Sequence, residues 1–203
     1  YYGNPDGWGE RRIQRLPAPR CTAVAAGDFN GNGRPDLAFL YSDTFAPGSS
    51  KLRLFYQSDL GFEPKRYIDL DIDADQIGTH DLDGDGRAEL LARSVEGQIT
   101  VYWGSPNGID PSQHSHLEAF GAQAKEVVSE LDRASNEYIQ DAKPLAQAVR
   151  LNGHPYIFAA QADSAQLIPV SPDREFGVAL TFECQEPLAV AVGNVSGNSP
   201  QDP

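Results

Sequence analysis

Two short acidic loops hold the residues of this sequence best suited to chemistry. Residues 28–36 read Asp-Phe-Asn-Gly-Asn-Gly-Arg-Pro-Asp, and residues 81–89 read Asp-Leu-Asp-Gly-Asp-Gly-Arg-Ala-Glu. Calcium is a hard cation that takes about 6–8 oxygen ligands, and a loop that offers oxygens from alternate residues can wrap one ion. The spacing therefore predicts two calcium sites, although an Asx-rich turn without metal is the alternative interpretation.

The predicted ligands stand at alternate positions of each loop, and the last ligand is an acid at the ninth position. The side chains are Asp28, Asn30, Asn32 and Asp36 in the first loop, and Asp81, Asp83, Asp85 and Glu89 in the second. Arg34 and Arg87 can contribute only a backbone carbonyl, since a cationic side chain must point away from the ion. The first loop offers two carboxylates and the second four, so charge predicts tighter binding at the second loop.

The loops belong to a repeating pattern. The first acids of the two loops are 53 residues apart, since 81 − 28 = 53. A third copy at 130–138 is worn, with Ala134 and Tyr138 where ligands belong, and it is expected to hold no ion. A fourth copy at 194–202 offers one carboxylate, which is too little for strong binding; its candidate ligands are Asn194, Ser196, Asn198 and Asp202.

A second motif, in which aromatic residues precede a Pro, Asp or Asn turn that ends at Gly, recurs at 1–8, 55–62 and 101–109. Such turns connect antiparallel strands, because Gly supplies the positive φ that they require. Each unit is therefore predicted to run strand, acidic loop, strand, turn, strand, turn, strand. About four units of this kind indicate an all-β chain, and four short strands per unit are typical of a β-propeller blade.

The loops are not EF-hands, because an EF-hand needs Glu at position 12, where this sequence has Phe39 or Ala92. Residues 28–36 and 81–89 instead resemble the FG-GAP or VCBS repeat, the calcium-loop blade of integrin-α-type β-propellers. The resemblance is strong over 1–109 and weak over 125–203. It implies an ion, usually structural, in the loop that joins two strands of a blade. It assigns the same side chains as ligands, with carbonyls from Arg34 and Arg87.

The remaining composition limits the function. Sixteen basic and 29 acidic residues give a net charge of −13, which would repel nucleic acid. No apolar run is long enough to span a membrane. Two cysteines, Cys21 and Cys184, could pair or remain free thiols. His114-x-His116 could hold a metal on a strand, but it lacks a clear third ligand, so a polar loop is the favoured interpretation.

We therefore expect a single domain over 1–203, a β-propeller of four-stranded blades that forms part of a larger propeller, or a compact four-blade ring. The chain stops at Asp202-Pro203, where the strand after the fourth loop should begin. The expected function is a non-catalytic, calcium-binding recognition scaffold for a protein or a glycan, located outside the cell, in the periplasm or at the cell surface. The alternatives are the propeller domain of a polysaccharide-active lyase or hydrolase, and a purely structural surface module.

Overall fold

The regular structure of this chain consists of β-strands. The computed structural model describes residues 14–42, 50–94, 97–117, 145–161 and 164–183. Within these ranges, twelve strands form three four-stranded antiparallel sheets, and there is no helix. The all-β prediction is thereby confirmed. The turn at 1–8, the acidic copies at 130–138 and 194–202, and Cys184 lie outside the described residues.

The first sheet carries the first acidic loop between its first two strands. Its strands pair in chain order, so each strand runs antiparallel to the next one along the sequence. Leu52, Arg53, Leu54 and Phe55 are all buried, so β3 is covered on both faces. Cys21 is exposed, and its thiol is free. The strands are β1 (Cys21–Gly27), β2 (Asp36–Ser42), β3 (Ser50–Phe55) and β4 (Ile68–Ile72).

The second sheet repeats this arrangement with the second acidic loop. Its strands are β5 (Gln76–His80), β6 (Glu89–Arg93), β7 (Ile99–Tyr102) and β8 (His114–Leu117). In both sheets the described residues follow the predicted order of a strand, an acidic loop and three further strands. The interpretation of His114 and His116 as part of a polar loop is wrong, because both residues lie on β8, where they pair with β7.

The third sheet has no acidic loop between its first two strands. β9 (Leu145–Leu151) and β10 (His154–Gln161) are joined by the two-residue turn Asn152-Gly153. Both turn residues have positive φ, 51° and 79°, as a type I′ hairpin requires. The sheet is completed by β11 (Ser164–Pro169) and β12 (Leu180–Glu183).

A hydrophobic core lies between each pair of consecutive sheets, and β6 contributes to both cores. Leu90 and Ala92 pack into the core shared with the first sheet, whereas Leu91 packs into the core shared with the third. All five residues of β6 are buried, including Glu89 and Arg93 at its ends, because the strand is covered on both faces. The first strands of the sheets also lie side by side, β1 beside β5 and β5 beside β9. The acidic loops that follow β1 and β5 are therefore neighbours.

Candidate metal centre

The two acidic loops occupy the same place in their sheets. The first joins β1 to β2 and the second joins β5 to β6, and the ninth residue of each loop begins the following strand. Those residues, Asp36 and Glu89, have no solvent exposure. Gly33 and Gly86 have φ of 81° and 85°, a backbone conformation that residues with a Cβ rarely adopt. These two glycines therefore provide the sharp turn of each loop.

The first acid of each loop closes the loop by accepting two backbone N–H groups. The N···O distances are 3.0 Å from Asn32 and 2.6 Å from Gly33 to Asp28, and 2.8 Å from Gly84 and 3.3 Å from Gly86 to Asp81. One bond goes to each carboxylate oxygen. Since a carboxylate oxygen has two lone pairs, both acids retain acceptor capacity for a cation.

The middle residues of the loops form Asx turns, in which the side-chain oxygen accepts the N–H of the residue two positions later. The distances lie between 2.8 and 3.1 Å, and the accepting residues are Asn30, Asn32, Asp83 and Asp85. The Asx-turn interpretation of the sequence and the metal interpretation are therefore compatible, because the turns hold the oxygens in a loop that could also surround an ion.

The last acid of each loop is anchored on both oxygens by backbone amides. Asp36 accepts from Phe29 and Gln57 at 3.1 and 2.8 Å. Glu89 accepts from Leu82 and Gly104 at 2.5 and 3.4 Å. In each case one donor lies in the acidic loop and the other in the turn after the third strand of the sheet. The carboxylate therefore links these two connections by hydrogen bonds.

Burial makes both of these carboxylates weaker acids. The pKa of Glu89 is raised from 4.5 to about 7, chiefly because the group is removed from water, with a further contribution from the negative charges of Asp83 and Asp81. The pKa of Asp36 is raised from 3.8 to about 6, again mainly by burial and also by Asp28. The amide hydrogen bonds oppose both shifts. A cation placed between these groups would favour their charged forms.

The carboxylates of the second loop converge. Oxygens of Asp81, Asp83 and Glu89 all lie within 4.8 Å of one another. Calcium binds oxygens at about 2.3–2.6 Å, so two oxygens on one ion can be up to about 5 Å apart. The cluster therefore fits a metal ion, and its hard, anionic oxygens suit calcium. In the first loop the equivalent positions are Asp28, Asn30 and Asp36.

Two arginines pair with carboxylates of the second loop, and only one of them belongs to it. Arg87 forms an ion pair with Asp85. Arg174, from the connection between β11 and β12, donates to Asp83 over 2.9 Å and lies 3.6 Å from Asp85. Its guanidinium also lies 5.1 Å from the centre of the Trp103 ring. Sequence reasoning missed Arg174, because it is 91 residues from Asp83 and no local motif marks it.

These arginines reduce the difference in charge between the two loops. The second loop has four carboxylates, and two arginines pair with them, so these six side chains together carry a formal charge of −4 + 2 = −2. The first loop has two carboxylates, and its Arg34 pairs outward with Asp59, outside the loop. The tighter binding predicted for the second loop therefore depends on where the Arg174 side chain lies when an ion is present.

Each loop is fixed by the sheet that follows it. The carbonyl of Asp28 accepts the Ala88 N–H at 2.8 Å, and the carbonyl of Asp81 accepts the Arg150 guanidinium at 2.9 Å. A Cβ added to Gly104 would lie 2.8 Å from the Ala88 carbonyl oxygen and 3.1 Å from the carbonyl oxygen of Phe29, in the first loop. The backbone of the second sheet thus approaches the first loop closely, and the loops are part of the packing between sheets.

Comparison with models of known protein families gave no match, and comparison with curated proteins gave no significant match. In the residues that the structure describes, no helix has the length and apolar character needed to cross a bilayer.

A cleft of about 370 Å³ lies next to the first loop. Its lining combines amide side chains, two tyrosines and one arginine, which are groups that can hydrogen-bond to a ligand and stack on it. The polar and aromatic members are Asn30, Asn32, Gln57, Ser58, Asn107, Tyr56, Tyr67 and Arg66. Asn30 and Asn32 are also candidate ligands, so the cleft and the first loop share residues.

Proposed function

We propose that this chain is a calcium-stabilised recognition module of the FG-GAP or VCBS type. The observation that carries the proposal is the repetition of one loop geometry at an offset of 53 residues, including the two amide-anchored acids Asp36 and Glu89. Chance acidic turns would not be expected to share the same hydrogen bonds and the same position in a sheet.

The packing of the sheets supports a propeller-type arrangement. Blades of a propeller place their first strands around a common axis and stack face to face. In this chain β1, β5 and β9 lie side by side in that order, and a hydrophobic core fills each space between consecutive sheets. We propose that the three sheets are consecutive blades of a propeller.

Calcium would act as a structural ion in this proposal. Extracellular modules bind calcium at about 10⁻⁴–10⁻³ M. With a Kd of about 10⁻⁴ M and about 1 mM calcium, each site adds about 1.4 kcal/mol to the free energy of unfolding. Such sites stabilise a protein only where calcium is abundant, so we propose a location outside the cell, in the periplasm or at the cell surface.

Isothermal titration calorimetry tests the metal sites. Two calcium ions should bind to the wild-type chain. Asp81→Ala combined with Asp83→Ala should remove one of them, and Asp28→Ala combined with Asp36→Ala should remove the other. Asp73→Ala is the matched control, because Asp73 is an exposed acid outside the loops. Absence of binding heat, together with a melting temperature that does not change with a chelator, would refute the calcium proposal.

The cleft beside the first loop is the proposed recognition surface, for a glycan or a segment of a protein. A glycan array with the calcium-saturated chain should show binding that Arg66→Ala weakens. Lys65→Ala is the control, since it removes the same charge one residue away and does not line the cleft. Equal effects of the two substitutions would argue against the cleft. Turnover of a bound polysaccharide would show that the module is catalytic.

A further inference from the structure

His114 and His116 form a pair on the outer strand of the second sheet. Both side chains are exposed on β8, and their Nε2 atoms are 3.0 Å apart. Ser115, between them, points the other way and accepts the indole N–H of Trp103 at 2.9 Å. The alternation of a strand therefore places the two imidazoles on one surface, and neither belongs to the acidic loops.

Two neighbouring groups orient the imidazoles. The Nδ1–H of His114 donates to the Pro111 carbonyl at 2.8 Å, because a carbonyl can only accept. The neutral ring therefore carries its lone pair on Nε2. The Nε2 of His114 therefore accepts the Nε2–H of His116, since the two atoms hydrogen-bond at 3.0 Å. A metal ion would replace that proton, and His116 would then carry its proton on Nδ1, which lies 3.0 Å from the Thr100 hydroxyl that can accept it. Metal-binding histidines are held in this way by partners on the other ring nitrogen.

The spacing of the two nitrogens matches that of two ligands on one ion. With bonds of about 2.0–2.1 Å and an angle between about 90° and 110°, two nitrogens lie about 2.9–3.4 Å apart. The observed 3.0 Å falls within this interval. Imidazole suits copper and zinc, whereas calcium takes oxygen ligands. The pair therefore has a different metal preference from the acidic loops.

We propose that His114 and His116 form a bidentate site for a divalent transition-metal ion, Cu²⁺ or Zn²⁺. The Nε2 atoms are the ligands, and water completes the coordination. Thr100 acts as a positioning residue, because its hydroxyl contacts His116 rather than the ion. The site is independent of the calcium loops, so its failure would leave the proposed function untouched.

Isothermal titration calorimetry of the calcium-saturated chain with Zn²⁺ measures the affinity of the proposed histidine site for zinc. Removing an outer-shell partner typically costs about 10–100-fold in metal affinity, so Thr100→Val should cost about tenfold, and His114→Ala or His116→Ala, each of which removes a ligand, should cost more than that. His154→Ala is the matched control, because it removes an exposed histidine from another strand. Circular dichroism checks that each variant is folded.

Electron paramagnetic resonance of the Cu²⁺-loaded chain gives a second readout. The wild-type spectrum should show hyperfine splitting from two nitrogens, and each histidine substitution should reduce it to one. Zn²⁺ affinity that is equal in the wild type and in both histidine variants would overturn the proposal, as would a copper spectrum without the two-nitrogen pattern.

Discussion

Ionisation of Glu89 should destabilise the calcium-free protein as the pH rises. The pKa of this buried carboxyl is about 7 in the folded chain against an ordinary value of 4.5. Between these two values the folded state holds a proton that the unfolded state has released, so the free energy of unfolding falls with increasing pH. The effect is absent below about pH 4.5 and complete above about pH 7.

The two pKa values set the magnitude. A difference of about 2.5 at about 1.36 kcal/mol per unit gives a loss of about 3 kcal/mol. For a chain of this size that corresponds to a fall of about 6–12 °C in melting temperature. Asp36, with its pKa of about 6, acts in the same direction. His80, whose pKa is lowered by burial, acts in the opposite direction, so the contribution of Glu89 must be isolated by substitution.

Urea unfolding from pH 5 to 8, in chelator and in saturating calcium, measures this contribution. Glu89→Gln should remove the Glu89 part of the pH dependence. It should cost about 1–3 kcal/mol at pH 5, because an amide cannot accept from both backbone donors, and this difference from the wild type should shrink or reverse by pH 8 as the wild type loses stability. Glu63→Gln, at an exposed acid, is the control. Calcium should flatten the wild-type profile by stabilising the charged carboxylate. The reasoning fails if Glu89→Gln and the wild type show the same slope in chelator.

Three further predictions concern contacts around the loops. Arg174→Gln should raise the calcium affinity of the second loop about tenfold by calorimetry, because it removes a cation that contacts the carboxylates. Gly104→Ala should lower the free energy of unfolding in urea by about 1–3 kcal/mol, whereas Gly78→Ala, with open space around it, should not. Arg53→Ala should cost about 2 kcal/mol, since the guanidinium makes two 2.7 Å bonds to a carboxylate of β4, and Lys51→Ala, on the same strand, less than about 1 kcal/mol. Equal losses within either pair would contradict the packing or ion-pair argument.

The acidic loops could be predicted from sequence because their geometry is local. Each hydrogen bond to the side-chain carboxylate of Asp28 or Asp81 spans at most five residues, and turn glycines and Asx residues encode such contacts directly. The burial of Glu89 also has a local signal, since an apolar strand follows it at once. The raised pKa of Glu89 has no local signal, because it depends on how completely the neighbouring sheets exclude water from the carboxyl group.

Contacts between sheets could not be predicted in this way. Arg174 reaches the second loop only after the third sheet has packed against the second. The convergence of His114 and His116 requires that both lie on a strand, and a four-residue polar segment gives no such indication. The third sheet did carry a signal, since Asn152-Gly153 is a strong hairpin sequence. The sequence repeat instead placed the acidic loop of the third unit at 130–138, a different segment of the chain.

The double burial of β6 has a consequence for how the number of repeats can change in evolution. Leu90 and Leu91 are adjacent in sequence, yet they fill different cores. Gain or loss of a unit beside an outer sheet would alter one interface, because stacked repeats interact mainly with their nearest neighbours. Loss of the middle unit would alter two interfaces at once. It would also place the faces of the two outer sheets against each other, although their side chains are not fitted to pack together. Selection on this chain therefore acts on pairs of adjoining units, and side chains on opposite faces of β6 are expected to vary with different partners.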